Sequence, residues 1–126
     1  MQAVLLVGAG GALGALARYG AGILFTRAGW IAFPWSTLTV NIAGSFLIGL
    51  LAGLLAAFTP SWSEEARLFL AVGVLGGFTT FSAFSLDAVL LIERGDFLPA
   101  TGYILASVVV SILALAAGLF LVRTLA

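Results

Sequence analysis

The stretch GGFTTFSAFS, residues 76–85, decides how this chain can fold. It lies near the middle of a mostly apolar run that begins near Glu64 and ends near Arg94. Two adjacent glycines followed closely by two β-branched threonines make a poor helical sequence. The pattern predicts an interrupted helix at this point. The alternative is an unbroken helix, in which the glycines serve packing and the hydroxyl groups bond to the preceding turn.

The composition indicates that this stretch is surrounded by lipid. Of the 126 residues, 63% are hydrophobic and 8% are charged, whereas soluble domains carry about 25% charged residues. The formal net charge is zero, which argues against nucleic acid as a partner. The chain has no cysteine and no histidine, so disulfides, thiolate or imidazole catalysis and Cys/His metal sites are excluded. With no nucleophile–base pair in view, we expect that the protein is not an enzyme.

Four segments are long enough to cross a membrane, for which a helix needs about 20 apolar residues. We therefore expect an all-α, multi-pass membrane protein, with residues 1–126 forming one transmembrane domain. The expected spans cover about residues 3–25, 35–58, 64–94 and 97–122. The N-terminal residues lack the basic region of a signal peptide, so we expect them to begin the first span. Tryptophans fall at the predicted interfaces, as an aromatic belt requires: Trp30, Trp35 and Trp62.

The arginines do not specify an orientation in the membrane. With four crossings, Arg67 and Arg123 lie on one side, and Arg27 and Arg94 lie on the other. The usual excess of basic residues on the cytoplasmic side is therefore absent. Either the orientation is weakly encoded, or the chain inserts both ways and pairs with an inverted copy of itself. Because four short helices enclose little space, a pore would need such a partner.

Small and polar residues recur at helical spacing inside the spans. Three GxxxG pairs let helices approach closely in lipid, without indicating which helices meet: Gly10 and Gly14, Gly49 and Gly53, and Gly73 and Gly77. Two polar stripes repeat every four residues: Thr37, Asn41 and Ser45 on the second span, and Tyr103, Ser107 and Ser111 on the fourth. These side chains either bond neighbouring helices together or offer hydrogen-bond donors to an anion.

Four further residues stand out beside these stripes. Phe81 and Phe84 share one helical face, where they either pack as ordinary apolar groups or present their positive ring edges to an anion. Arg18 lies well inside the first span, so it either holds the structure together or attracts anions to a wet cavity. Asp87 follows the expected interruption and either pairs with an arginine or caps a polar end.

The chain resembles the Fluc/CrcB fluoride channels over nearly all of its length. The resemblance rests on three motifs in the same order: GGALGALARY (residues 10–19), STLTVNIAGSFLIG (residues 36–49) and GGFTTFSAFS (residues 76–85). The third motif is highly specific, and the other two are moderately so. Ala83 is a small departure, since many relatives have Thr or Ser there.

The resemblance implies a fold and a set of functional residues. It implies a dual-topology, antiparallel homodimer in the lipid bilayer, with a broken third helix and two pores that let fluoride leave the cytoplasm passively. It also implies a structural Na⁺ at the dimer centre, bound by the main-chain carbonyls of Gly76 and Thr79 in each subunit. Arg18 matches the first-span arginine of the family. The residues implied along the fluoride pathway are Asn41, Phe81, Phe84, Tyr103, Ser107 and Ser111.

Two other functions are open at this stage. A small four-span, dual-topology, proton-coupled exporter of cationic compounds would need an intramembrane carboxylate to exchange protons. The first span has no such group, and among the acidic residues Asp87 is the one away from the span ends. A structural subunit of a larger membrane complex is the third possibility, which conduction by the purified protein would dismiss.

Overall fold

The computed structural model describes all 126 residues and contains four helices that are long and apolar enough to cross a membrane. Three of them are continuous or nearly so, and the third is broken, which confirms the all-α fold predicted from the sequence. The spans are α1 (Gln2–Arg27), α2 (Trp35–Phe58), the third span (Ser63–Glu93) and the fourth span (Phe97–Leu125).

The third span consists of two helical halves separated by two extended residues. The first half starts with an α-helical turn (Ser63–Ala66), continues as a π-helix (Arg67–Leu75) and ends in a short α-helical section (Gly76–Phe78). Thr79 and Thr80 are extended, with φ/ψ of −84°/158° and −155°/121°. The second half is an α-helix (Phe81–Glu93). The interruption expected from the sequence is therefore present, but it lies at the threonines and not at the two glycines before them.

Glycines on both helices allow α1 and the first half of the third span to touch backbone to backbone. A Cβ atom on Gly10 or Gly14 would collide with carbonyl oxygens of the π-helix, at Phe69 and Val74 respectively. A Cβ on Gly77 would lie 2.6 Å from the Gly11 carbonyl oxygen. The first and third GxxxG pairs thus face each other, and their contact explains why glycine is needed just before the break.

The second GxxxG pair lies between α2 and the fourth span. A Cβ on Gly49 would collide with the Leu115 carbonyl oxygen, and one on Gly53 would come within 2.8 Å of the Val122 side chain. Gly118 makes the reciprocal approach to α2, at the Phe46 carbonyl oxygen, although it belongs to no GxxxG pair. The helices therefore form two tightly packed pairs, and the break lies where those pairs meet.

Only 17 of the 126 residues are buried within the single chain. This fraction is too small for a water-soluble fold, because most apolar side chains point outward. Lipid and any second subunit must therefore cover these surfaces. The densest apolar cluster lies around Tyr103, which is fully buried, and includes Phe84 and Leu91 from the third span.

Candidate functional site

Thr79 and Thr80 form side-chain hydrogen bonds with backbone groups at the ends of the two half-helices that meet at the break. The Thr79 hydroxyl donates to the Leu75 carbonyl oxygen at 2.9 Å, at the end of the first half. The Ala83 backbone N–H donates to the Thr80 hydroxyl at 3.1 Å, so Thr80 is the N-cap of the second half. Threonine suits both tasks, since it favours extended backbone and its hydroxyl can replace a missing backbone partner.

Asn41 on α2 fastens the extended segment by two hydrogen bonds to one residue. Its side-chain Nδ2 donates to the Thr80 carbonyl oxygen at 2.9 Å, and the Thr80 N–H donates to its Oδ1 at 2.7 Å. The amide side chain thus pairs with Thr80 as a neighbouring strand would. One Nδ2 hydrogen is used in this pairing, and the second remains to serve another acceptor.

Arg18 binds the first half of the third span close to the break. Its Nε donates to the Gly77 carbonyl oxygen at 3.1 Å, over a separation of 59 residues. A cation at the C-terminal end of a helical segment interacts favourably with the helix dipole. Of the two interpretations open from the sequence, this contact supports the structural one, because it fixes α1 to the last helical turn before the break.

Several backbone groups at the break have no partner within the chain. The hydrogen bonds recorded there leave the carbonyl oxygens of Gly76 and Thr79 without a donor. On the other side, the N–H groups of Phe81 and Ser82 lack an acceptor, as expected for the first turn of a helix. The break therefore presents bare acceptors from one half-helix and bare donors from the other, in a region that would lie at mid-membrane depth.

A groove of about 330 Å³ runs along the chain beside the break. The second, third and fourth spans all contribute to its walls, and no charged side chain does. Its lining residues are Asn41, Ser45, Thr79, Thr80, Phe81, Phe84, Ser107, Val108, Ser111 and Ile112. The groove combines hydroxyl and amide groups with aromatic rings, and it is open along one side of the isolated chain.

Phe81 and Phe84 stand next to each other on the wall of this groove. Their ring centroids are 5.4 Å apart and the ring planes are tilted by 58°. Phe84 is buried, whereas Phe81 is 76% exposed in the single chain. An apolar ring this exposed on a membrane-spanning helix must be covered by lipid or by a second subunit.

Two hydroxyl groups of the fourth span are buried in the groove without a hydrogen-bond partner. They belong to Ser107 and Ser111, which are one helical turn apart. A serine inside a helix usually bonds to the carbonyl one turn earlier, as the hydroxyl of Thr101 does to Phe97. Leaving a buried hydroxyl unpaired costs about 1–3 kcal/mol. The two hydroxyls therefore have unused donor capacity beside the groove that their residues line.

Tyr103 lies one turn before these serines, beyond the end of the groove. Its ring packs on Phe84 with centroids 5.3 Å apart, and its hydroxyl donates to Asp87 Oδ2 at 3.1 Å. The side chain of Asp87 thus has a tyrosine partner, and the arginine considered from the sequence is not bonded to it. Because no motif links positions 87 and 103, the sequence could not have identified this pair.

The structure brings most of the predicted pathway residues into one place. Asn41, Phe81, Phe84, Ser107 and Ser111 all line the groove, and Tyr103 adjoins it through Phe84. Ser45, for which the sequence predicts only a place in a polar stripe, also lines the groove, whereas Thr37 of the same stripe does not. The apolar lining residues Val108 and Ile112 were not predicted, since nothing distinguishes them from lipid-facing neighbours in the sequence.

Comparison with known proteins identifies the family. Residues 5–119 match the family described as CrcB-like protein, Camphor Resistance (CrcB). A protein of Rhizobium meliloti (strain 1021) named Fluoride-specific ion channel FluC is 53% identical over 125 residues, which cover 99% of each chain. Proteins of the same name from Agrobacterium fabrum and Rhodospirillum centenum are 57% and 52% identical, over 97% and 98% of each chain. Because the family match covers residues 5–119 and these relatives align over nearly their whole length, the chain belongs to the CrcB family.

Proposed function

We propose that this protein is a passive, fluoride-selective channel of the inner membrane. The observation that carries the proposal is the pair of unpartnered serine hydroxyls in an uncharged groove beside the helix break. The names of the relatives support it, since several that match over nearly the whole chain are called fluoride-specific ion channels. The family match also supports the expectation that the protein is a channel and not an enzyme.

The groove offers what a dehydrated fluoride ion needs. Burying an unpaired ion in a low-dielectric interior costs on the order of tens of kcal/mol, so the pathway must replace the lost hydration shell with donors. The hydroxyls of Ser107 and Ser111 and the spare Nδ2 hydrogen of Asn41 can donate to the ion. The edges of Phe81 and Phe84 add a weaker, diffuse positive potential.

The absence of charged side chains from the groove fits conduction better than tight binding. Conduction requires sites that bind an ion strongly enough to admit it and weakly enough to release it. Hydroxyls, an amide and ring edges give several moderate sites in series. The free N–H groups at the start of the second half-helix add the positive end of a helix dipole at the same place, without a full charge that would trap the ion.

A passive pathway is sufficient to lower cytoplasmic fluoride. Hydrogen fluoride crosses membranes as a neutral acid and dissociates in a near-neutral cytoplasm, which leaves the anion trapped. The inside-negative membrane potential drives an anion outward by about 2.3 kcal/mol per 100 mV. No chemical step and no coupled ion are then required, and the protein would contribute to fluoride resistance.

We propose further that the working unit is an antiparallel homodimer. The groove is open along one side, and Phe81 stands 76% exposed on its wall, so a second copy would close it. The balanced distribution of arginines supports insertion in both orientations. Two such grooves, one per subunit, would then give two pores.

The break also fits the structural sodium ion that the family resemblance implies. Carbonyl oxygens are suitable ligands for a hard cation, and the carbonyls of Gly76 and Thr79 accept no hydrogen bond within the chain. These carbonyls would hold Na⁺ together with the same pair from an inverted second copy. When bound, the ion would supply a fixed positive charge at the dimer centre and stabilise the extended segment.

The proton-coupled exporter is not supported. The relatives carry the name of a fluoride channel, and the carboxylate of Asp87 is hydrogen-bonded to a buried tyrosine. A carrier of this kind needs a carboxylate that is free to exchange protons with its cargo.

Ion efflux from liposomes tests the proposal directly. The purified protein is reconstituted into liposomes loaded with either fluoride or chloride, and efflux is followed with ion-selective electrodes. We expect fluoride efflux that is much faster than chloride efflux and independent of an imposed proton gradient. Equal rates for both halides would refute selectivity, a strict requirement for a proton gradient would refute a passive channel, and no efflux would favour a structural subunit.

A further inference from the structure

The loop between α1 and α2 packs over Tyr103, which lies beyond the end of the groove. Residues 29–34, which we call the strap, start at Gly29 with a positive φ of 82°, a conformation that suits glycine. Residues 31–34 face the end of the third span across a cavity of about 230 Å³, whose opposite wall includes Asp87, Leu91 and Arg94. The strap thus lies over the region where Tyr103 is buried.

Phe33 is the strap residue that reaches the buried tyrosine. Its ring meets Tyr103 edge to face, with centroids 5.5 Å apart and the planes at 86°. Phe84 packs on Tyr103 as well, at 5.3 Å, and Tyr103 is left with no exposed surface. Phe33, Phe84, the hydrogen bond to Asp87 and the neighbouring Thr37 side chain together fix the direction of the tyrosine hydroxyl.

One long-range hydrogen bond fastens the strap to the rest of the protein. Arg94, just after the third span, donates from Nη2 to the Ala32 carbonyl oxygen at 3.0 Å, across 62 residues. Its Nε donates to Asp96 at 3.1 Å, and this pairing fixes the plane of the guanidinium group. All other backbone hydrogen bonds of residues 29–34 are made within the chain segment itself or to its flanking helices.

We propose that Arg94 is a positioning residue for the fluoride pathway, acting through the strap. By holding Ala32, it keeps the Phe33 ring on Tyr103 and thereby keeps the tyrosine fixed against Phe84, which lines the groove. This inference rests on the proposed fluoride channel for its effect on transport, but the strap itself can be tested without transport.

A cysteine reporter measures whether the strap is fastened. The chain has no native cysteine, and Leu91, which is 2% exposed, lines the cavity under the strap. In the Leu91→Cys protein we expect slow modification by a water-soluble thiol reagent. Adding Arg94→Met, which keeps side-chain length but removes every donor, should accelerate modification about tenfold. Arg94→Lys keeps one cationic donor and should restore much of the protection.

Arg67 provides a matched control at another exposed site. It is about as exposed as Arg94, and it also pairs with a carboxylate, Glu64, at 2.8 Å. However, it makes no hydrogen bond to a distant segment of backbone. Arg67→Met therefore removes the same charge and a comparable ion pair, and we expect it to leave the reactivity of the cysteine at position 91 unchanged.

A double-mutant cycle on fluoride efflux tests the route through Phe33. In the chain without the reporter, we expect Arg94→Met and Phe33→Leu each to slow efflux about threefold to tenfold, the effect of losing one hydrogen bond. If Arg94 acts by holding Phe33, the double variant should be no slower than either single variant. A general loss of fold stability would instead add the two effects, so thermal unfolding of each variant is recorded in parallel.

The outcomes separate this inference from the proposed function. Unchanged cysteine reactivity in Arg94→Met, or the same acceleration in Arg67→Met, would overturn the role of Arg94 in fastening the strap. Additive effects on efflux would overturn the route through Phe33. If the unmodified protein passes no fluoride while the reporter behaves as expected, the strap remains and the proposed function fails.

Discussion

Replacing the two unpartnered serines should lower transport without lowering stability. Ser107 and Ser111 line the groove, their hydroxyl oxygens are buried, and neither hydroxyl makes a hydrogen bond. If each donates to a passing fluoride ion, alanine removes a charge-assisted hydrogen bond worth about 1.5–3 kcal/mol. At a factor of ten for every 1.4 kcal/mol, each single substitution should slow fluoride efflux about 10- to 100-fold.

The same substitution should have the opposite effect on folding. Removing a buried hydroxyl that lacks a partner removes a desolvation cost, so the free energy of unfolding should stay constant or rise by up to about 1 kcal/mol. Efflux from fluoride-loaded liposomes measures transport, and thermal unfolding in detergent measures stability. Thr101→Val serves as the control, because the Thr101 hydroxyl bonds to its own helix and lies outside the groove; its efflux should match that of the original protein.

The reasoning would be refuted by the reverse pattern. If Ser107→Ala and Ser111→Ala conduct normally and unfold more easily, the hydroxyls serve hydrogen bonds between helices, and the partner must come from a second copy because none exists within one chain. The opposed signs of the two measurements therefore separate donors of the pathway from hydrogen bonds between helices, the alternative that the sequence left open.

Three further substitutions test other parts of the site. Phe81→Ile should slow or abolish fluoride efflux, because it removes the ring edge, while size-exclusion chromatography shows the same oligomeric state as for the original protein; normal efflux would remove that ring from the pathway. Asn41→Asp should lower efflux about a thousandfold, since like charges 4 Å apart repel by about 4 kcal/mol at an effective dielectric constant of 20; undiminished conduction would reject Asn41 as a donor. Gly14→Ala should destabilise the protein by about 1–3 kcal/mol in chemical unfolding, because its Cβ would collide with the Val74 carbonyl oxygen. Gly8→Ala, which meets no neighbour within the chain, should change stability far less, and equal losses would show that this close approach is not what requires glycine.

The helix break shows how precisely the local sequence predicts the position of a structural feature. The poor helical character of residues 76–80 predicted an interruption, and the third span is interrupted there. The two glycines nevertheless remain helical, and at Gly77 the missing side chain is needed for the close contact with α1. The extended backbone falls on Thr79 and Thr80, whose hydroxyls cap the two half-helices. Tertiary packing thus decided which of two plausible dipeptides bends.

Asn41 and Asp87 show that sequence patterns do not predict the hydrogen-bond partners of polar side chains. The sequence identified Asn41 as a polar group at helical spacing, but its two-point pairing with Thr80 depends on how α2 lies against the third span. For Asp87 the sequence predicted either an arginine partner or a capping role, whereas its partner is a tyrosine from a different helix. Such partners come from different helices, so the periodicity of the sequence does not predict them.

The sequence by itself determined the solvent, the number of crossings and the position of the weak helix, because these depend on composition and on local backbone preferences. Only the tertiary structure decided which polar groups remain without partners, since a hydrogen bond between helices depends on their separation and rotation. The proposed function depends on those unpaired groups: a serine stripe is commonplace in a membrane helix, whereas two buried serine hydroxyls that make no hydrogen bond beside a broken helix are not.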